Sequence, residues 1–319
     1  MDTFKEIKTA LKTGKISKPE FIETMYARHK LLFEYANEIQ NCNLDAIRIS
    51  NKEIVAEFKE PKIKMICPAG DNRIAPVEAF NFGSFESAEI NLVKRLVGHL
   101  GGASINIFDI GANAGFYSLA LSHYFPGIKG VAFEPVPLTH SYLKRNLELN
   151  DIHEISALNL GLSDSTGELT FAVSAENSGA SFIATSTEGT NSQLIRCTVT
   201  TVDDFITQGG TVPAFIKCDV EGAELFVFKG AKQLLTNNRP VIFTEMLRKW
   251  ARKFDYHPND IIRYFAELNY SCFIIRGEKL LPFDSVEENT ADTNYIFLHK
   301  QNHFRAVAEF CQNNQNHDS

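Results

Sequence analysis

A chain of 319 residues, 44% of them hydrophobic, can bury a large core and predicts one large domain with an appendage. Its net charge of -7, with Lys and Arg scattered, argues against a protein that tracks a nucleic-acid backbone. The six cysteines lie far apart with no C-x-x-C, no signal-peptide core opens the chain, and no apolar run reaches the roughly 18 residues of a membrane span, so a reduced, cytoplasmic protein is expected.

Residues 1–45 read as a helical N-terminal extension. Ser17-Lys-Pro-Glu20 is a capping box with proline in the first turn, and it predicts a helix to about Gln40. Phe21, Ile22, Met25, Tyr26, Leu32, Phe33, Ala36 and Ile39 give that helix an apolar face, which predicts packing onto the domain, with dimerisation or a lid as the other uses. Residues 46–67 alternate as small β-hairpins, with strands at 46–50, 54–58 and 63–67, and a helix follows at about 86–99. From residue 105 strands (105–110, 130–134, 155–162, 213–219, 240–245, 271–276, 294–299) alternate with helices (near 115–125, 137–150, 222–236, 258–268). That order predicts an α/β fold, a doubly wound, Rossmann-like seven-stranded sheet within a domain of residues 46–300. Between the third and fourth strands, 168–173 and 194–200 flank a Ser/Thr/Asn/Gly-rich stretch, which predicts a hairpin with a long mobile loop at 174–192. Residues 301–319 read as a tail, disordered from Gln312.

The chemistry concentrates where strands end. The run Asn106-Ile-Phe-Asp-Ile-Gly-Ala-Asn-Ala-Gly-Phe-Tyr117 takes a strand through Asp109, Gly111 and Gly115 into a helix, and a second strand ends 25 positions after Asp109 on Glu134. Such a βαβ unit binds an adenosine-bearing cofactor. A dinucleotide site needs G-x-G-x-x-G, whose middle glycine admits a pyrophosphate; here that position is Asn113, which suits a cofactor without phosphates, S-adenosylmethionine (SAM). The glycines let the backbone sit close to the methionine part, and Asp109 either orients the loop or reaches the cofactor's ammonium through water. Glu134 can accept from both ribose hydroxyls and Pro135 stiffens its turn, with a helix cap as the alternative use. Leu162 can wall the adenine and Ser163 or Asp164 can meet its amine, although Ser-Asp-Ser-Thr-Gly is equally a turn.

The fourth strand ends in Ile216-Lys-Cys-Asp-Val-Glu-Gly-Ala-Glu224, gathering Lys217, Asp219, Glu221 and Glu224 where an open sheet keeps its ligand crevice, and the fifth ends on Glu245. A Lys–carboxylate pair and a helix N-terminus are the structural uses of the same residues. The following loop adds Arg248, Trp250, Arg252, Tyr256 and His257, the last either at the site or simply starting a helix at Pro258.

Asp109-Ile-Gly-Ala-Asn-Ala-Gly115, Phe133-Glu-Pro135, Asn146-Leu-x-Leu-Asn150 and Ile216–Glu224, continued by Lys229-Gly-Ala231 and Glu245, together resemble the FkbM-type SAM-dependent methyltransferases over about residues 80–275. The resemblance implies the class I methyltransferase fold, with its last strand antiparallel, and O-methylation of sugars, glycolipids, polyketides or other secondary metabolites. It places Asp109, Gly111, Asn113, Gly115, Glu134 and Asp219 at the SAM site. It leaves residues 1–45 outside the pattern, where a homo-oligomer contact is one use. No Asn/Asp-Pro-Pro-Tyr/Phe follows the fourth strand, which disfavours amino-methylation of the nucleobase or glutamine type.

A hydroxyl acceptor needs a general base, for which Asp219 or Glu221 stands first, with Glu245 or His257 as alternatives. Convergent acids could instead hold Mg²⁺ and a hydroxyl pair, although no ligand spacing dictates a metal site. The acceptor is a small-molecule or glycan hydroxyl, first a bacterial surface sugar, with Trp250 and Tyr256 to stack on it and Asn177, Ser178 and Ser181 to bind its hydroxyls. The competing readings are a SAM-binding scaffold without turnover and an NAD-dependent oxidoreductase, the latter opposed by the absent glycines.

Overall fold

In the computed structural model, which describes residues 3–51, 53–174, 177–183 and 192–311, the chain opens with two capped helices. α1 (Phe4–Lys12) starts at Thr3 and α2 (Lys18–Ile39) at Ser17. Each cap hydroxyl takes the N–H of a glutamate three residues on, whose carboxylate accepts from the cap's own N–H. The predicted helix is there, but its expected packing is not. No residue of α2 is buried, and Ile22, Tyr26, Leu32 and Phe33 are 54%, 55%, 53% and 65% exposed. With Leu31 and Tyr35 included, its apolar side chains spread too far round the helix to form one stripe.

Strands β1 (Leu44–Ile49), β2 (Ile54–Phe58) and β3 (Lys64–Ile66) form an antiparallel sheet in sequence order, and α3 (Ala75–Phe82) and α4 (Ser87–Leu100) follow. Next come β4 (Asn106–Ile110), α5 (Phe116–Tyr124), β5 (Lys129–Phe133), α6 (Pro137–Leu149) and β6 (Ile155–Leu158). A smaller sheet interrupts: β7 (Gly161–Leu162), β8 (Gly167–Ser174), β9 (Asn177–Ile183) and β10 (Ser192–Thr200), in the order β7-β10-β8-β9. The chain then runs α7 (Val202–Thr207), β11 (Phe215–Cys218), α8 (Glu224–Lys229), α9 (Lys232–Asn237), β12 (Val241–Glu245) and α10 (Arg248–Ala251). It closes with α11 (Pro258–Glu267), β13 (Tyr270–Arg276), β14 (Lys279–Pro282), β15 (Asn294–His299) and α12 (Phe304–Cys311).

The main sheet has the order β14-β13-β15-β12-β11-β4-β5-β6. β6 through β12 run parallel, and β15 lies antiparallel between β12 and β13. All seven predicted strands are present, with the last one antiparallel, but the sheet has eight strands because β14 pairs with β13 at the edge. Neighbouring side chains on each strand enter different cores: Ile107, Phe215 and Val241 join the helices α4, α5, α6 and α12, whereas Phe108, Ile216 and Ile242 join α8, α9 and α11. Burial on both faces is what a sheet with helices on either side requires.

Three further expectations change. The predicted strand 155–162 divides, its last two residues pairing with β10 in the small sheet. The loop expected at 174–192 contains β9, and its residues 175–176 and 184–191, like the tail from Gln312, lie outside the described residues. The helix expected at 222–236 breaks at Gly230, where a Cβ would lie 2.0 Å from the Ser163 carbonyl oxygen. Asp203 fills the break, its carboxylate accepting from the N–H groups of Gln233 (2.8 Å) and Leu234 (3.0 Å) to cap α9.

Candidate active site

The site lies beyond the carboxyl ends of β4, β5, β11 and β12, where an open sheet leaves its crevice. Gly111 has φ +69°, and a Cβ there would fall 1.8 Å from the Asp219 carbonyl oxygen, so the loops after β4 and β11 touch at a point only glycine can occupy. Asn113 is left-handed too (φ +50°), and its N–H donates to Glu134 Oε2 at 3.0 Å. Glu134 Oε1 accepts from Val136 N at 2.9 Å, so the buried carboxylate joins the two loops with one backbone N–H on each oxygen. Asn159 Nδ2 fixes the same turn by donating to the carbonyls of Glu134 (2.9 Å) and Pro135 (2.7 Å).

Asp109 is buried and faces α5: its Oδ2 accepts from Ser118 N (3.1 Å) and Ser118 Oγ (2.7 Å). Of its two expected uses, the geometry is that of orienting the loop and helix. Asn146 is a residue that motif reading left without a role. Fully buried on α6, it donates to the Ala114 carbonyl (2.9 Å) and accepts from Ile66 N (2.9 Å), holding the glycine loop against β3.

Two cavities of opposite character flank the loop. One is apolar, walled by Pro135, Leu162 and Val220 and closed by Phe171 and Ile183 from the small sheet. Ser163 adjoins it, but its N–H is engaged with the Thr200 carbonyl (2.9 Å) and its hydroxyl is 3.5 Å from Asp164 Oδ1. The other cavity is polar, lined among others by Arg73, Glu86, Asn113, Tyr117, Lys217 and Asp219. Lys217 Nζ donates to the Gly111 carbonyl (2.8 Å) and sits 3.5 Å from Asp219 and 3.7 Å from Asp109.

Asp219 Oδ1 and Glu221 Oε2 are buried with no hydrogen-bond partner among the described residues. Glu221 is left-handed (φ +54°), and the next residue, Gly222, abuts the Trp250 backbone, where a Cβ would lie 2.8 Å away. Glu224, by contrast, is stapled: it accepts from Val220 N (3.0 Å), Gly222 N (3.1 Å) and Tyr256 Oη (3.3 Å). His257 is the exposed cap of α11, its Nδ1 accepting from Asn259 N at 3.2 Å, and no contact joins it to the acids among the described residues. The geometry is that of the helix-start use.

The Methyltransferase FkbM domain matches residues 109–272, just over half of the chain. The chain belongs to the FkbM methyltransferase family. Methyltransferase sdnD of Sordaria araneosa is 47% identical over 64 residues, which are 20% of this chain and 25% of that protein. Methyltransferase 1 of Beauveria bassiana is 29% identical over 145 residues, 39% of this chain and 57% of that one. The matched stretches thus span less than two thirds of either relative. The methyltransferase FkbM of Methylobacillus flagellatus overlays with a TM-score of 0.41 and 21% identity, covering 61% of this chain and 44% of that structure.

Electrostatics in this FkbM-family site follow from burial. Burial pushes the Glu134 carboxyl up to about 7 against its two N–H donors. Glu221 is pushed up to about 8 by burial and then by the fields of Asp219 and Glu224. Glu245 is pushed up to about 9 by burial, then by Asp219, Glu221 and Glu86. Burial works against the charge on Lys217, but Asp219, Asp109 and Glu86 outweigh it and hold the ammonium above its usual range. Asp219, Glu221, Glu245 and the unforeseen Glu86 therefore feel one another, yet no group of three or more His, Cys, Asp or Glu among the described residues is disposed to hold a metal ion. Glu86 carries no strand-end or glycine signature, and only the fold brings it here.

Proposed function

We propose that this chain is a SAM-dependent O-methyltransferase acting on a hydroxyl of a small molecule or sugar. The observation that carries the reading is the glycine loop that Glu134 holds, with an apolar cavity reaching Gly111 and Pro135 on one side and a polar one reaching Asn113 on the other. A carboxylate offers about four lone pairs, and the two backbone N–H groups use two, which leaves one on each oxygen for the paired hydroxyls of a ribose. The apolar side chains beside Gly111 suit the face of an adenine, and the polar ones beside Asn113 suit a charged amino-acid end. SAM, when bound, supplies a methyl group on a sulfonium, already attached to a good leaving group.

The chain's own residues then have two tasks: align the acceptor and take its proton. We assign the proton to Glu221, whose buried Oε2 has no donor among the described residues and whose carboxyl is pushed up to about 8, within reach of the pH at which a general base works. Glu245 is the second acid in reach of the same field. The test is transfer of labelled methyl from SAM to a panel of hydroxyl, amine and thiol acceptors, sugars and polyketides included. Label recovered as a methyl ether supports the reading; label on nitrogen or sulfur alone contradicts it.

A further inference from the structure

The polar cavity takes half its wall from outside the stretch that defines the family: Arg73, Ile74, Phe85 and Glu86 all precede residue 109. Glu86 is the unusual member. It occupies the N-cap position of α4 in the left-handed region (φ +43°, ψ +40°) and makes no side-chain cap hydrogen bond. A carboxylate there could cap the helix at little cost, and a left-handed backbone costs an L-residue about 1 kcal/mol or more. The side chain instead lines the cavity, where its Oε2 accepts the hydroxyl of buried Tyr117. Its other oxygen has no protein donor among the described residues.

Charge in the cavity does not balance. Asp219 lines it with a buried Oδ1 that has no partner among the described residues, and burial first and then the charge of Asp219 push the Glu86 carboxyl up to about 7. Lys217 is already committed to Asp219, Asp109 and the Gly111 carbonyl. Arg73 is 63% exposed, with its Nε held by Glu78 at 2.5 Å. Two half-buried carboxylates lining one cavity are costly unless a cation joins them.

We infer that Glu86 is an ammonium anchor, binding with Asp219 the positively charged amino group of an amino-acid-bearing thioether or sulfonium nucleoside. Arg73, on the same wall, presents its remaining guanidinium N–H groups to that ligand's carboxylate. Tyr117 sets the rotamer of Glu86 so that the second oxygen meets the amino group. The inference rests on the cofactor reading above and adds a selectivity to it: adenosine compounds without the amino-acid end lose this contact.

Calorimetric titration of the full chain with S-adenosylhomocysteine and with 5′-methylthioadenosine tests it, since only the first carries the amino-acid end. Glu86→Gln keeps the volume and an acceptor for Tyr117 but removes the charge. It is expected to weaken S-adenosylhomocysteine binding about tenfold or more, the range for a charge-assisted bond, and to leave 5′-methylthioadenosine within about twofold. Glu86→Asp, which keeps the charge on a shorter arm, should retain more S-adenosylhomocysteine affinity than the Gln variant. Equal weakening of both ligands, or of neither, or the reverse order of the two variants, overturns the assignment. A wild-type chain that binds neither ligand overturns the cofactor reading beneath it, a distinguishable result.

Discussion

Glu245→Gln is expected to stabilise the unliganded protein at pH 8, by an amount that grows with pH. Burial and then Asp219, Glu221 and Glu86 raise this carboxyl from its usual 4.5 to about 9. The folded state therefore holds the proton more tightly than the unfolded chain does. Stability from this group is fully present below pH 4.5 and is lost as pH rises through about 9. At pH 8 the loss has a ceiling of about 5 kcal/mol, from 3.5 pH units at about 1.4 kcal/mol each. Glu86 and Glu221 share the same repulsion, and the new amide must find its own partners, so a gain of about 1–3 kcal/mol is expected. For a chain of this size that is about 2–6 °C in Tm. Melting curves of wild type and variant at pH 5, 6.5, 8 and 9 measure it. A Tm difference that does not widen with pH, or a variant less stable at pH 8, would refute the reasoning.

Three other substitutions separate the roles at the site. Glu134→Ala should weaken S-adenosylhomocysteine binding by about 1.5–3 kcal/mol, as for a lost charge-assisted group, and lower Tm as well, because Asn113 and Val136 lose their acceptor; unchanged affinity in a titration sinks the ribose assignment. Glu221→Gln should abolish turnover in the labelled-methyl assay while leaving S-adenosylhomocysteine affinity within about twofold, and retained turnover removes it from the base role. His257→Ala should cost only a helix cap, about 0.5–2 kcal/mol in a melt, with turnover intact; lost turnover at full stability would return His257 to the chemistry.

The parts of the fold that were legible are those where chemistry restricts the residue. Gly111 is forced by the approach of the Asp219 carbonyl, and Glu134 by the two loops it joins, so both stand out as letters in the chain. The parallel strands read as continuous apolar runs because both faces are buried. Of the features that were missed, two left a local signal. The hairpin to β14 turns at Gly277 (φ +58°) and Glu278, but Pro282 makes the run look unlike a strand, as suits an edge position. α3 is bracketed by Pro76 at its start and Gly83 (φ +87°) past its end, an asymmetry typical of helices. The break between α8 and α9 depends on the Ser163 carbonyl, 67 residues away from Gly230 in sequence, and so is tertiary in origin. Among the acids, Asp219, Glu221 and Glu224 look alike in sequence; only the loop geometry shows that Glu224 is a staple. Glu86 was invisible because its place is set by α4 packing against α5, through Tyr117.

The measurement that bears most directly on the account is calorimetric titration of the purified protein with SAM, S-adenosylhomocysteine and NAD. Micromolar binding of the two adenosyl-sulfur ligands, with none of NAD, is the predicted result. Binding of NAD alone, or of none of the three by a folded protein, would contradict it.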